Sequence, residues 1–246
     1  MQAHEGDYMN TEMYEFIEEN EEKHWWFRAR QNIIRMFITQ YREHYNTVLD
    51  IGCGSGHFLW GIKDISTNRF GIDEHDYNTA WHTVIQGDAR NLPFEDARMD
   101  LVTMLDVLEH IPESDKALRE IYRVIKPDGL CVLTVPAFQF LYSPYDKNNN
   151  HVKRYCKGDL CSKLERNGFQ ILRCSYFNTW LFPLEAPVRL LEKAIGREVS
   201  TSAGGGGNSI VNGMLYRIFN SEVNVLRGHD LPYGLSLIAV VKPKTI

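Results

Sequence analysis

The chain has 246 residues, enough for one domain with some elaboration and a sizeable buried core. Its hydrophobic content of 43% and charged content of 24% are those of an ordinary globular protein. The net charge of -5 and a pI near 6.0 argue against broad electrostatic nucleic-acid binding. No apolar run approaches the roughly 20 residues needed to span a bilayer. The five cysteines (53, 131, 156, 161, 174) are scattered and form no Cys-x-x-Cys pair. Neither a disulfide framework nor a zinc site is predicted, no metal is expected, and a reducing compartment fits best. The acidic stretch from Met1 to Lys23 has no apolar core of a secretory signal, so the cytoplasm is the expected location.

In chain order, residues 1–10 are polar and read as frayed, and a helical pattern runs from Thr11 to about Tyr45. A strand is predicted at 47–51, a helix over 56–64, a second strand at Arg69–Asp73 and a short helical connection through Ala80 and Trp81. Thr83–Gln86 and Met99–Leu105 read as strands three and four. Leu118, Ile121, Tyr122 and Ile125 give Ser114–Ile125 helical spacing, and Lys126-Pro127-Asp128-Gly129 should stop it. Leu130–Val135 reads as a buried fifth strand, Gly158–Asn167 as a helix and Phe169–Tyr176 as a sixth strand. Residues 178–230 form an insertion with an apolar helix at Leu181–Ala194 and the loop Thr201–Gly207, whose four consecutive glycines make it expected to be mobile. The last strand is Ser236–Val241. Strands alternating with helices imply βαβ units, and fully apolar strands imply a parallel sheet covered on both faces. The predicted fold is therefore α/β and doubly wound, with a seven-stranded, mostly parallel sheet. One domain (1–246) is expected, divided into an N-terminal helical cap (11–45), a core (46–177), the insertion (178–230) and a terminal strand (231–246).

The chemistry should lie at the carboxyl ends of the strands, where open α/β sheets bind ligands. Strand one runs into Asp50-Ile51-Gly52-Cys53-Gly54-Ser55-Gly56, a turn in which glycine permits positive φ and close ligand approach. The N–H groups opening the next helix would then favour an anion. The spacing is Gly-x-Gly-x-Gly; the dinucleotide fingerprint would need a third glycine where His57 stands. Strand two ends in Asp73, placed to accept from ribose hydroxyls, and strand three in Gln86-Gly87-Asp88-Ala89, suited to an adenine edge. Strand four ends in Leu105-Asp106-Val107-Leu108-Glu109-His110, beside the reacting end of a ligand.

Val48–Phe58, Phe70–Asp73, Gly87–Phe94, Asp100–Ile111 and Ala117–Leu133 resemble the successive motifs of class I S-adenosylmethionine (SAM) methyltransferases of the UbiE/UbiG type. The resemblance covers about residues 45–176, and Leu235–Lys242 fits that fold's antiparallel last strand. It implies SAM as cofactor, a Rossmann-like fold and methyl transfer. By position, Asp50, Gly52, Cys53, Gly54 and Gly56 would hold the methionine part, and Asp73 with Glu74 the ribose. Asp88 and the backbone of Ala89 would meet adenine, and Leu105 and Asp106 would lie near the amino-acid moiety and sulfonium. The short stretch between Asp73 and Asp88 departs from the pattern and suggests a trimmed crossover helix. His24-Trp25-Trp26-Phe27-Arg28-Ala29-Arg30 and Ser143–Asp146 with His151–Tyr155 resemble a narrower bacterial group found beside cell-surface glycan genes. That implies a sugar or lipid-linked acceptor; Trp26 and Arg30 would then face the cofactor, Arg30 near its carboxylate.

An oxygen or nitrogen acceptor that arrives protonated needs a base, and His151 and His110 are the candidates, helped by Tyr155 and Asp146. Each residue also has a plainer reading. Asp73 and Asp88 are good helix N-caps; Asp50 is suited to accept from loop N–H groups; Trp25, Trp26 and Phe27 suit a helix packed on the core. Arg28 and Arg30 fit surface ion pairs, His110 a cap on the polar end of strand four, and His151, Arg154 and Tyr155 either loop anchors or substrate contacts. The expected partner is a small-molecule or lipid-linked acceptor, with peripheral membrane contact open, nucleic acid excluded and the oligomeric state unspecified. The rival readings are a NAD-dependent oxidoreductase, an aminopropyltransferase-like SAM-fold enzyme and a non-catalytic SAM-binding or partner-binding module.

Overall fold

The computed structural model describes residues 20–75, 83–199 and 209–244. The connection expected through Ala80 and Trp81, the helical pattern before residue 20 and the loop Thr201–Gly207 lie outside the described residues.

Seven strands form one sheet: β1 (Tyr45–Ile51), β2 (Ser66–Asp73), β3 (Thr83–Gln86), β4 (Met99–Leu105), β5 (Ile125–Pro136), β6 (Phe169–Phe177) and β7 (Ser236–Pro243). Their order is β3-β2-β1-β4-β5-β7-β6. β7 runs antiparallel to both β5 and β6, and the other pairings are parallel. All seven residues of β4 are buried, as a central strand covered on both faces requires.

Alternate residues feed two cores. Leu237, Ala239 and Val241 of β7 join Leu49, Ile51, Val102 and Leu133 on one face, under Leu118 and Ile121 of α3 (Ser114–Val124) and Leu160 and Leu164 of α5 (Lys157–Arg166). Ile238 and Val240 join Val48, Leu101 and Val132 on the other, under Ala29, Ile33, Ile34, Phe37 and Ile38 of α1 (Trp25–Thr39). The spacing of those five α1 residues is the stripe that a period of 3.6 produces. His24 caps α1, its ring accepting from the Trp26 N–H at 3.3 Å.

The structure departs from the sequence reading in several places; the helical pattern expected to about Tyr45 ends with α1 at Thr39, and Tyr45 opens β1. The helix after β1, α2 (His57–Gly61), is shorter than expected, and β5 begins at Ile125 rather than Leu130. Pairing slips between Met99↔Ile125 and Leu101↔Leu130, so residues 126–129 form an irregularity inside β5 instead of a turn before it. Ser143 and Pro144 open an unexpected short helix, α4 (Pro144–Asn148), through a capping box with Asp146. The insertion holds α6 (Phe182–Ile195) and two helices that periodicity did not reveal, α7 (Ser209–Asn220) and α8 (Glu222–Leu226). Along α6 and α7, Leu184, Leu190, Leu191, Ile210, Val211 and Met214 are exposed. Among the described residues no helix is long and apolar enough to cross a membrane.

One carboxylate ties the insertion to the sheet. Glu222 is fully buried and accepts the N–H groups of Asn178 (2.7 Å), Thr179 (2.6 Å) and Trp180 (2.9 Å), where the chain leaves β6. Glu222→Ala would strand three buried donors and is expected to lower unfolding free energy by about 3 kcal/mol or more, read from the urea midpoint. Burial pushes Glu222 up to about 7 from its ordinary 4.5, against the pull of those three N–H groups. The folded chain therefore retains a proton that the unfolded chain releases between those values. The resulting stabilisation is complete at the acid end and disappears as pH rises through about 7, so the gap between the native chain and Glu222→Ala should narrow over that window.

Candidate active site

Strand order reverses between β1 and β4, and loops leaving those two strands diverge to open a crevice. At the seam, Thr103 of β4 donates to Asp50 of β1 at 2.6 Å, both side chains being buried. Burial pushes Asp50 up to about 7, opposed by the Thr103 bond and the Arg30 charge. Asp50 thus links two strands, a different partner from the loop N–H groups considered from sequence.

Gly52, Gly54 and Gly56 all have positive φ (70°, 51° and 79°). Gly52 has no room for a side chain: a Cβ there would lie 2.3 Å from Val107 Cγ2. Its N–H donates to Ile72 O at 2.7 Å, keeping the loop on β2. At Gly54 a Cβ would meet nothing within 4 Å, so the loop backbone faces open space. Gly56 caps α2, but five residues carry little macrodipole, so the binding character belongs to the loop rather than to a helix end. Cys53 is buried, and burial holds its thiol far above the usual range.

Asp73, ending β2, turns toward that loop. Its Oδ2 accepts the Gly54 N–H at 2.9 Å and its Oδ1 the His75 N–H at 3.1 Å. Glu74 is exposed and is raised by partial burial and by Asp88. Asp88, at the end of β3, accepts from Arg90 N at 2.8 Å and Arg90 Nε at 2.9 Å, and these bonds hold it below the ordinary carboxylate range. Ala89 is buried beside it.

Past Leu105, which is buried, Asp106 adopts φ 58°, a left-handed conformation that aspartate tolerates. Arg30 reaches it from α1: Arg30 Nη2 lies 2.6 Å from Asp106 Oδ2 and 3.2 Å from Thr134 Oγ1, and the guanidinium sits 5.0 Å from the Trp26 ring centre. Arg30 Nε is buried without a hydrogen-bond partner. That spare donor, the open backbone at Gly54 and the acid at Asp73 fit the carboxylate and ribose of a nucleoside–amino-acid ligand.

Across the crevice, Glu109 and His110 occupy a 3-10 turn (Leu108–His110), and His151 follows α4. The Val152 N–H donates to Glu109 O at 2.7 Å and joins the two segments. The His110 and His151 rings meet edge to face with centres 4.7 Å apart. His151 Nδ1 lies 2.8 Å from Asp146 Oδ1. Asp146 is fully buried and also takes Arg154 Nε at 2.8 Å and Ser143 N at 2.9 Å. Burial opposes its ionisation, yet the His151 and Arg154 bonds prevail and hold it below the ordinary range. Burial and the neighbouring His151 push His110 down to about 4. Glu109 is 1% exposed, and neither carboxyl oxygen has a hydrogen-bond partner. Burial and Asp106 raise it well above its usual range. Tyr155 sits apart in the core with Leu160 and Leu164, its ring 4.4 Å from Lys153 Nζ, and burial raises its phenol.

The structure thus gathers the glycines, Asp50 and Asp73 on one side of the seam and His110 and His151 on the other, with Arg30 at the seam on Asp106 and Thr134. Sequence reasoning passed over Glu109 as part of the strand-four run and left Arg154 as either a loop anchor or a substrate contact. A charged residue next to His110 in an apolar stretch was the available signal for the first.

Residues 49–133 match the family model described as a methyltransferase domain. A probable S-adenosylmethionine-dependent methyltransferase of Mycolicibacterium smegmatis is 27% identical over 161 residues, 61% of each chain. A demethylmenaquinone methyltransferase of Staphylococcus epidermidis is 41% identical over 118 residues, 40% of this chain and 49% of that one. The chain therefore spans about half to three fifths of the length of these relatives. Among solved structures, a SAM-dependent methyltransferase of Archaeoglobus fulgidus superposes with a TM-score of 0.59 at 21% identity, covering 93% of this chain and 99% of the other. The methyltransferase in complex with the Trm112 activator of Haloferax volcanii gives 0.61 at 16% identity, covering 96% and 95%. These two likenesses speak to the fold, which is the seven-stranded Rossmann-like sheet described above. Over residues 49–133 the chain thus resembles methyltransferase domains, and it is similar over 161 residues to a probable S-adenosylmethionine-dependent methyltransferase.

Proposed function

We propose that this chain transfers the methyl group of SAM to an oxygen or nitrogen of a small molecule with apolar surface. The observation that supports this most is the open space at Gly54, whose N–H is held by Asp73; Arg30 Nε, buried without a hydrogen-bond partner, is the spare donor beside Asp106. The Gly54 and Gly56 backbone would carry the methionine part with Arg30 Nε on its carboxylate. Asp73 and Glu74 would hold the ribose, and Asp88 and Ala89 would line the adenine edge. Bound SAM supplies a methyl group on a sulfonium, already an excellent leaving group. The protein's part is then to align the acceptor in line with that bond and exclude water, effects that supply roughly 7–11 kcal/mol in favourable cases. His110 and His151 are the side chains proposed to face the acceptor atom, with Asp146 positioning His151. Tyr155 enters this reading as packing for their loop.

The acceptor's apolar character is supported by Phe140, Trp180 and Tyr233, which stay exposed at the carboxyl end of the sheet. It is also supported by the demethylmenaquinone methyltransferases among the relatives, whose name denotes a quinone acceptor. A quinone, a lipid-linked sugar or a phenol would each present such a surface, and we place the reaction in the cytoplasm.

Calorimetric titration should show one site each for SAM and S-adenosylhomocysteine and none for NAD; the reverse pattern would sink the proposal. Asp73→Ala is expected to weaken S-adenosylhomocysteine binding by about 30- to 150-fold, the equivalent of losing about 2–3 kcal/mol of charge-assisted hydrogen bonding. The glycines separate folding from binding. Gly52→Ala must push against Val107 and should lower the melting temperature. Gly54→Ala has room and strains only the backbone, by about 1–2 kcal/mol, yet its methyl enters the cradle and should cost roughly tenfold or more in affinity. Equal effects of the two on binding and melting would argue against a ligand at Gly54. A methyl-transfer screen over quinones, polyprenyl phosphates, sugars and phenols, reading S-adenosylhomocysteine release, tests the acceptor class.

A further inference from the structure

We propose that Glu109, His110 and His151 bind a divalent transition-metal ion beside the acceptor. One ligand atom from each of the three side chains lies within 4.8 Å of the others. Ligands held at about 2.0–2.2 Å from one ion stand at most about 4.4 Å apart, so small side-chain adjustments close the set. Glu109 gives the independent reason. A buried carboxyl with both oxygens unpartnered carries the desolvation cost of a polar group with no hydrogen bond to offset it. A cation between it and the two imidazoles supplies the missing partner.

The neighbouring contacts are those that metal sites use to fix their ligands. His151 Nδ1 is occupied by Asp146 at 2.8 Å, so the ring presents Nε2, in the carboxylate–histidine–metal arrangement. Asp146 is fixed in turn by Arg154 and Ser143. The Val152–Glu109 backbone bond, 2.7 Å, holds the two ligand-bearing segments together. Two imidazole nitrogens and one carboxylate suit zinc, manganese, cobalt or iron in the divalent state, whereas magnesium and calcium prefer all-oxygen shells. Three protein ligands leave a coordination position free.

The role of that position rests on the methyl-transfer reading. An acceptor hydroxyl bound there would become more acidic and release its proton to solvent water. Its oxygen would then bond to the methyl carbon as the carbon–sulfur bond breaks, the electron pair returning to sulfur. Proton removal by His151 alone is the competing account, and it predicts activity that chelators leave untouched.

The test uses the full chain, stripped with EDTA and desalted, and titrated with Co²⁺ by visible absorption and with Zn²⁺ and Mn²⁺ by calorimetry. One equivalent of Co²⁺ should bind and develop visible bands of nitrogen and oxygen ligation. Glu109→Gln, which keeps shape and removes charge, should weaken binding by about 10- to 100-fold, as should His110→Ala. Circular dichroism checks that each variant is folded, and His151→Gln replaces either one that is not. Parallel titration with S-adenosylhomocysteine keeps the two ideas apart. Cobalt binding without nucleoside binding would sustain the metal site and sink the methyl-donor reading. Absence of stoichiometric metal binding, or the same affinity in Glu109→Gln as in the native chain, would overturn the inference.

Discussion

A parallel sheet covered on both faces leaves its chain few places for polar chemistry, and this constraint organises the whole molecule. The apolar side chains of β1, β4 and β5 fill two cores. Polar groups can reach solvent or ligand only where strands end, and the loops separate only where strand order reverses. That point is the seam between β1 and β4, closed from below by the buried Asp50–Thr103 bond. Everything on one side of it derives from the loops after β1, β2 and β3. Everything on the other derives from the loops after β4 and β5. Arg30 crosses from α1 to meet Asp106 at the seam, so the helix covering one face of the sheet also helps define the crevice.

The structure does not force a choice between the plain and the functional readings of the strand-end acids. Asp73 accepts two backbone N–H groups, as a capping residue would, and one of them belongs to Gly54. A carboxylate has about four lone-pair directions, so two N–H donors leave capacity for ribose hydroxyls. The capping bonds are therefore a means of orientation: they fix the carboxylate before a ligand arrives. Asp88 is more heavily engaged, because the Arg90 side chain takes both of its oxygens. In the proposed site Asp73 is thus better prepared for a new hydrogen bond than Asp88.

Legibility in the sequence followed the range of the interactions involved. The seven strands and α1, α3 and α5 were readable because each is set by its own periodicity. So was the glycine loop, where positive φ is a local demand. The irregularity at 126–129 was not readable: Pro127 and Gly129 are ordinary stop signals, and only pairing with Met99 keeps that stretch in the sheet. Helices α7 and α8 escaped because their stabilisation comes from distant partners. Asn32 bonds to Tyr216 and Asn220, Trp25 packs edge to face on Phe219, and Glu222 caps the chain leaving β6. Asp50, the glycines, Asp73 and Asp88, proposed for the cofactor, were legible as successive strand ends. The approach of His151 to His110 was not, since it depends on how the α4 segment folds back onto the turn after β4.

Buried acids elsewhere in the molecule show what is unusual about that half. Glu222 accepts three backbone N–H groups, Asp146 is held by His151, Arg154 and Ser143, and Asp50 has Thr103. Glu192 accepts from Ser143 and Arg189. Each of these offsets its desolvation with partners drawn from the chain. Glu109 is equally buried and has none at either oxygen. A leucine in that place would avoid the cost and extend the adjoining apolar packing. A cation from outside the chain would supply the partner that Glu109 lacks, and the two imidazoles beside it complete a ligand set for one.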